Sequence, residues 1–84
     1  MKLAERILFR EEPDHTGFLF HLDDCGSFIL NRTGVFLLKQ LLAGVPEEKL
    51  PHVLQEACAA PLPSSALQEI RDFLNNIKSK GFVQ

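Results

Sequence analysis

The sequence predicts an α+β domain: a three-stranded antiparallel β-meander followed by three α-helices. Three observations lead there. The hydrophobic period is extended, about two residues, before Asn31 and helical, about 3.6, after it. Turn-forming clusters at residues 11–16 and 23–26 divide the first part into three short runs. Gly44, Pro61, Pro63 and Gly81 punctuate the second part where helices should stop.

Taken in order, Ile7-Leu8-Phe9 between Arg6 and Arg10 predicts a first strand over about residues 5–10. Gly17 to Leu22 predicts the second, about 17–22, with Phe18, Phe20 and Leu22 on one face and Leu19 and His21 on the other. Ser27-Phe28-Ile29-Leu30 predicts the third, about 27–30, apolar on both faces. Pro13-Asp14 lies in the longer first loop. Asp23-Asp24-Cys25-Gly26 is expected to make a tight hairpin turn, with Asp side chains bonding local backbone and Gly26 free to take positive φ.

Asn31 is a good N-cap for a first helix, about 32–43, with Val35, Leu38, Leu41 and Leu42 on its apolar stripe and Gly44 as its stop. A second helix is expected over about 47–59, broken near or starting at Pro51, because proline is tolerated only in a first turn. Ser65-Ala66-Leu67-Gln68 fits a capping box opening a third helix, about 65–80, with Leu67, Ile70, Leu74 and Ile77 as its stripe and Phe73 beside it.

The 84 residues suit one small domain spanning 1–84, and 45% hydrophobic with 24% charged residues is the balance of a chain that folds. So small a core leaves little room for a deep cofactor pocket, and no cofactor is expected. Nine Lys and Arg against eleven Asp and Glu, scattered along the chain, argue against a nucleic-acid partner. Cys25 and Cys58 lack metal-ligand spacing, and His15, His21 and His52 fall on three different elements. Gly-rich phosphate loops, HExxH and GxSxG are absent, so no enzyme activity and no metal are expected. Charges at Glu5, Arg6, Arg10, Glu11, Glu12 and Asp14 interrupt any early membrane span or signal peptide, and the expectation is a cytoplasmic protein without a membrane partner.

The third strand carries the functional expectation. A meander has two edges, and 27–30 has none of the charge or proline that usually protects one. If Phe28 and Leu30 face the helices, Ile29 joins Leu8 and Leu19 on the opposite face, leaving an apolar strip beside an open edge. Such an edge suits strand addition by a peptide. Equally, residues 1–3 or a second copy of the chain would cover that face.

Phe28-Ile29-Leu30-Asn31-Arg32-Thr33-Gly34, an apolar strand running into L-N-x-T-G at a helix start, resembles the signature of the pyrroloquinoline-quinone biosynthesis protein D (PqqD-like) family. Leu41-Leu42-Ala43-Gly44 resembles the end of that family's first helix, and Phe73-Leu74 with Gly81-Phe82 its closing pattern, so the likeness runs from about Leu8 to Phe82. Residues 45–51, with a second proline at Pro51, depart from it. The resemblance implies a winged-helix-like recognition element that binds the leader of a ribosomally made precursor peptide and presents it to a modifying enzyme, often a radical S-adenosylmethionine enzyme. Pyrroloquinoline quinone biosynthesis is the namesake pathway. The leader would add along the third strand and pack on the third helix. By position, the implied peptide-binding residues are Phe28, Ile29, Leu30, Leu67, Ile70, Arg71 and Leu74, with Arg71 and Lys78 placed to meet an acidic leader.

Two readings of other classes stand beside this one. A winged helix can bind DNA, and the third helix offers Gln68, Arg71, Asn75, Asn76 and Lys78. The same edge can instead pair with itself, giving a weak homodimer rather than a monomer.

Overall fold

The computed structural model describes residues 1–23, 26–58 and 61–84. Three antiparallel strands, β1 (Ile7–Glu11), β2 (Gly17–His21) and β3 (Ser27–Leu30), form one sheet in the order β1-β2-β3. Three helices follow: α1 (Arg32–Leu42), α2 (Leu50–Ala57) and α3 (Ala66–Ser79). This is the expected α+β architecture.

The change of period at Asn31 has a local cause. Its backbone is extended, and its side-chain oxygen accepts the Gly34 N–H at 2.7 Å, satisfying one of the donors a helix start leaves unpaired. Gly44, at φ 104°, reverses the chain after α1 in a conformation that costs other residues far more. A single 3-10 turn, Glu47–Lys49, runs into α2, where Pro51 sits in the first turn and its missing N–H breaks no helical bond. The expected end of this helix at residue 59 lies outside the described residues.

α3 lacks the expected capping box. Ser65 already has helical dihedrals (φ −78°, ψ −9°) and makes no side-chain cap, whereas a cap needs an extended backbone to turn its hydroxyl toward the first turn. Gln68 instead donates its Nε2 to Asp72 Oδ1 at 2.8 Å.

Register decides the sheet's faces. Leu19 stands directly opposite both Phe9 and Phe28, and Gly17 opposite both Glu11 and Leu30. Cross-strand partners share a face, so Leu19 lies with Phe28 and Leu30 against the helices, fully buried at 0% exposure. The expectation that Leu19 would share Ile29's face is therefore corrected: Phe18, paired with Ile29, takes that place, alongside Leu8 and Phe20. Gly17 is held small by this packing, since a Cβ there would lie 2.4 Å from the Arg10 carbonyl oxygen and 3.2 Å from Val35 Cγ2.

The core joins Leu19 and Leu30 to Val35, Leu37, Leu38 and Leu41 of α1, Leu50 and Leu54 of α2, and Ile70, Phe73 and Ile77 of α3. Phe82 closes it at 1% exposure. The chain ends are tied together beside it: Leu3 bridges Val83, Ala4 N–H donates to the Phe82 carbonyl at 3.0 Å, and Gln84 N–H to that of Lys2 at 2.9 Å. Of the second hairpin turn, Asp23 pairs with Arg6 and Gly26 accepts from the His21 N–H at 2.7 Å. Residues Asp24 and Cys25 lie outside the described residues.

Candidate functional site

The His21-to-Gly26 bond fixes which peptide groups of β3 are spent. In an antiparallel pair, hydrogen-bonded positions alternate, so Gly26, Phe28 and Leu30 turn their N–H and C=O toward β2. Ser27 and Ile29 turn theirs away, and among the described residues β3 is an edge strand with no further neighbour in its sheet. Ile29 is 81% exposed and Leu8 49%, so none of the described residues covers them on the outer face; Met1 and Leu3 pack instead against the core.

Beside this edge runs a groove of about 590 Å³. Phe28, Ile29 and Leu30, with Asn31, Thr33 and Gly34 of the following turn, form one side. Glu69, Asp72, Phe73 and Asn76 of α3 form the other. The floor is apolar, because Leu30, Leu37 and Phe73 line it and are all buried. Phe28 is held at one end between the Phe82 ring, 6.0 Å away centroid to centroid, and Lys80 Nζ, 5.9 Å above its own ring. His21 stacks on Phe82 at 4.4 Å and donates its Nε2 hydrogen to the Lys80 carbonyl at 2.9 Å, so this histidine is structural.

Of the residues expected at the site, the structure brings Phe28, Ile29 and Leu30 together at the groove and leaves Leu67, Ile70, Arg71 and Leu74 off its lining. The reason is helix phase. At about 100° per residue, positions 69, 72, 73 and 76 fall on one flank of α3, while 67, 71, 74 and 78 fall on the opposite flank. Between them lies the core stripe Ala66, Ile70, Phe73 and Ile77. Ile70 is thus buried, Leu67 and Arg71 are exposed, and Lys78 reaches away to Glu47 at 2.5 Å. The residues missed from sequence, Glu69, Asp72 and Asn76, recur at three- and four-residue spacing with Phe73; that signal was present, but nothing local says which flank meets β3.

The groove's charge is negative. Among the described residues, two carboxylates and no Lys or Arg line it. Arg32 Nε donates to the Asp14 carbonyl at 2.9 Å, while Arg10 pairs with Glu12 and Lys39 with Glu11. Those bonds disperse the basic side chains rather than forming a phosphate-binding face. Hydrogen bonds first from Lys39 and then from His15 hold the Glu11 carboxyl below its ordinary value, and the Thr16 hydroxyl and N–H do the same for Asp14. Among the described residues no three His, Cys, Asp or Glu gather as a metal site, and no helix is long and apolar enough to cross a membrane.

No family model matches the chain, and no curated protein matches it in sequence. Among solved structures, TbiB1 in complex with the TbiA(beta) leader peptide is similar with a TM-score of 0.79 at 21% identity, covering 100% of this chain and 95% of that one. The likeness is one of fold.

Proposed function

We propose that this chain is a PqqD-like, non-catalytic peptide chaperone that binds the leader of a ribosomally synthesised precursor by strand addition to β3 and presents it to a modifying enzyme, with a radical S-adenosylmethionine enzyme as the partner class the sequence resemblance suggests. The observation that carries the reading is the open β3 edge, whose Ser27 and Ile29 peptide groups point away from β2 beside an apolar-floored groove. Backbone bonds along such an edge supply affinity, and pockets for alternate side chains supply selectivity. A fold shared with TbiB1, a protein solved with a leader peptide on it, supports the same reading. DNA binding is disfavoured, because the α3 flank beside the sheet carries Glu69 and Asp72 and would repel phosphates.

The test is an NMR titration of the chain with the N-terminal half of a short precursor encoded beside it. Amides of Ser27, Phe28, Ile29 and Asn31, and of Glu69, Asp72 and Asn76, should shift together. A spectrum unchanged at millimolar peptide would refute the proposal.

A further inference from the structure

We infer that the groove selects its peptide by charge: the bound strand carries a basic side chain on the same face as its apolar anchor. This rests on strand addition to β3 and says which leaders that edge accepts.

Glu69 and Asp72 stand three residues apart on the α3 wall, and among the described residues neither is in an ion pair. Asp72 is oriented by Gln68 Nε2 at 2.8 Å, a neutral donor that leaves its charge uncompensated. Like charges at this helical spacing destabilise one another, and a cation placed between them relieves that. The nearby helix cations are engaged or turned away: Lys78 reaches Glu47 at 2.5 Å, Arg71 lies on the opposite flank of α3, and Lys80, past the end of the helix, holds its Nζ 5.9 Å over the Phe28 ring rather than on either carboxylate. A cation therefore has to come from the guest.

Strand geometry fixes where the guest carries it. A peptide residue lying opposite Ile29 shares that residue's outer face, whereas residues opposite Phe28 and Leu30 point to the helix side. An apolar side chain there covers the floor of Leu30, Leu37 and Phe73. The next inward side chain, two residues along, stands before the acidic wall. Lys and Arg suit that place because their aliphatic stems lie on apolar surface while the charge reaches out, and Arg can also bind a carboxylate through two N–H groups. An acidic residue at the same position is rejected, which provides discrimination that the backbone bonds cannot.

The experiment is selection of random peptides by display against the intact chain, followed by fluorescence anisotropy on the enriched peptides. The expected result is enrichment of Lys or Arg two or four positions from an apolar residue. The double variant Glu69→Lys, Asp72→Lys should enrich Asp or Glu at the same offset. Binding of a wild-type-selected peptide should weaken about two- to fivefold for each of Glu69→Gln and Asp72→Asn, the range of partly exposed ion pairs, and should weaken further as salt is raised to about 0.5 M. Both positions are exposed, so circular dichroism should show the fold unchanged. Peptides that lose affinity with Ile29→Pro yet ignore both neutralisations overturn charge selection and leave strand addition standing. Failure to enrich any peptide, or binding indifferent to Ile29→Pro, overturns both.

Discussion

Substituting proline at Ile29 separates binding from folding better than any other change on β3. Its N–H faces the open side, so proline there removes no bond to β2. Its side chain is 81% exposed, so little packing is lost. Phe28 is already extended, the conformation proline imposes on its predecessor. The fold should therefore lose no more than about 1 kcal/mol, or roughly 4 to 8 °C in Tm for a domain of this size. Peptide binding loses more. One backbone bond disappears, worth about 0.5 to 1.5 kcal/mol net, and the peptide carbonyl it served is left facing a ring at a cost of about 1 to 3 kcal/mol. A total of about 1.5 to 4.5 kcal/mol corresponds to roughly 10- to 2,000-fold weaker binding. Anisotropy or calorimetry with a binding peptide measures the affinity, and thermal melts measure the fold. Phe28→Pro is the contrasting control, because that residue's N–H points to β2 and its loss should unfold the sheet. Unchanged affinity in a folded Ile29→Pro protein would refute strand addition at this edge.

Other consequences follow from single contacts. Gly17→Ala drives a Cβ to within 2.4 Å of the Arg10 carbonyl oxygen and should destabilise by about 1 to 3 kcal/mol in urea denaturation. Asn31→Ala removes the α1 cap and should cost about 0.5 to 2 kcal/mol, with Asn31→Asp restoring most of it. Glu11 and Asp14 are held below their ordinary values of 4.5 and 3.8, so the stability they contribute is present above those values and is lost as pH falls through the lower folded ones. Tm should drop as pH is lowered below about 4.5, and Glu11→Gln should reduce that drop.

What the sequence revealed and what it hid divide along physical lines. The switch from strands to helices at Asn31 was legible because the cap, the period and Gly44 all act within a few residues. Which face of β2 is buried was not, because Phe18-Leu19-Phe20 is apolar on both sides and only pairing with Phe9 and Phe28 settles it. The α3 flank was hidden for the same reason. Leu67 and Leu74 extend the apolar stripe on one side and Phe73 on the other, and the choice depends on how α3 seats against β3 rather than on the helix itself. The β3 side of the groove was readable because an edge without protection is a local property; its acidic side is a tertiary one.

The open edge also bears on whether the protein pairs with itself. Two β3 edges joined about a twofold axis would each need the other's inward side chains to fill the groove. Those side chains are already spent: Leu30 is 2% exposed in its own core, and Phe28 is held by Phe82 and Lys80. Such a pair also keeps both sets of helices on one face, bringing two α3 walls, each with Glu69 and Asp72, toward a single junction. With four residues in the strand, few backbone bonds are available to offset that repulsion. A peptide strand brings no helix and no acidic wall of its own, so the repulsion that disfavours a second copy does not act against it. Light scattering at micromolar concentration should therefore report a monomer. A dimer that Ile29→Pro abolishes would show that the edge pairs with itself and that the wall does not prevent it.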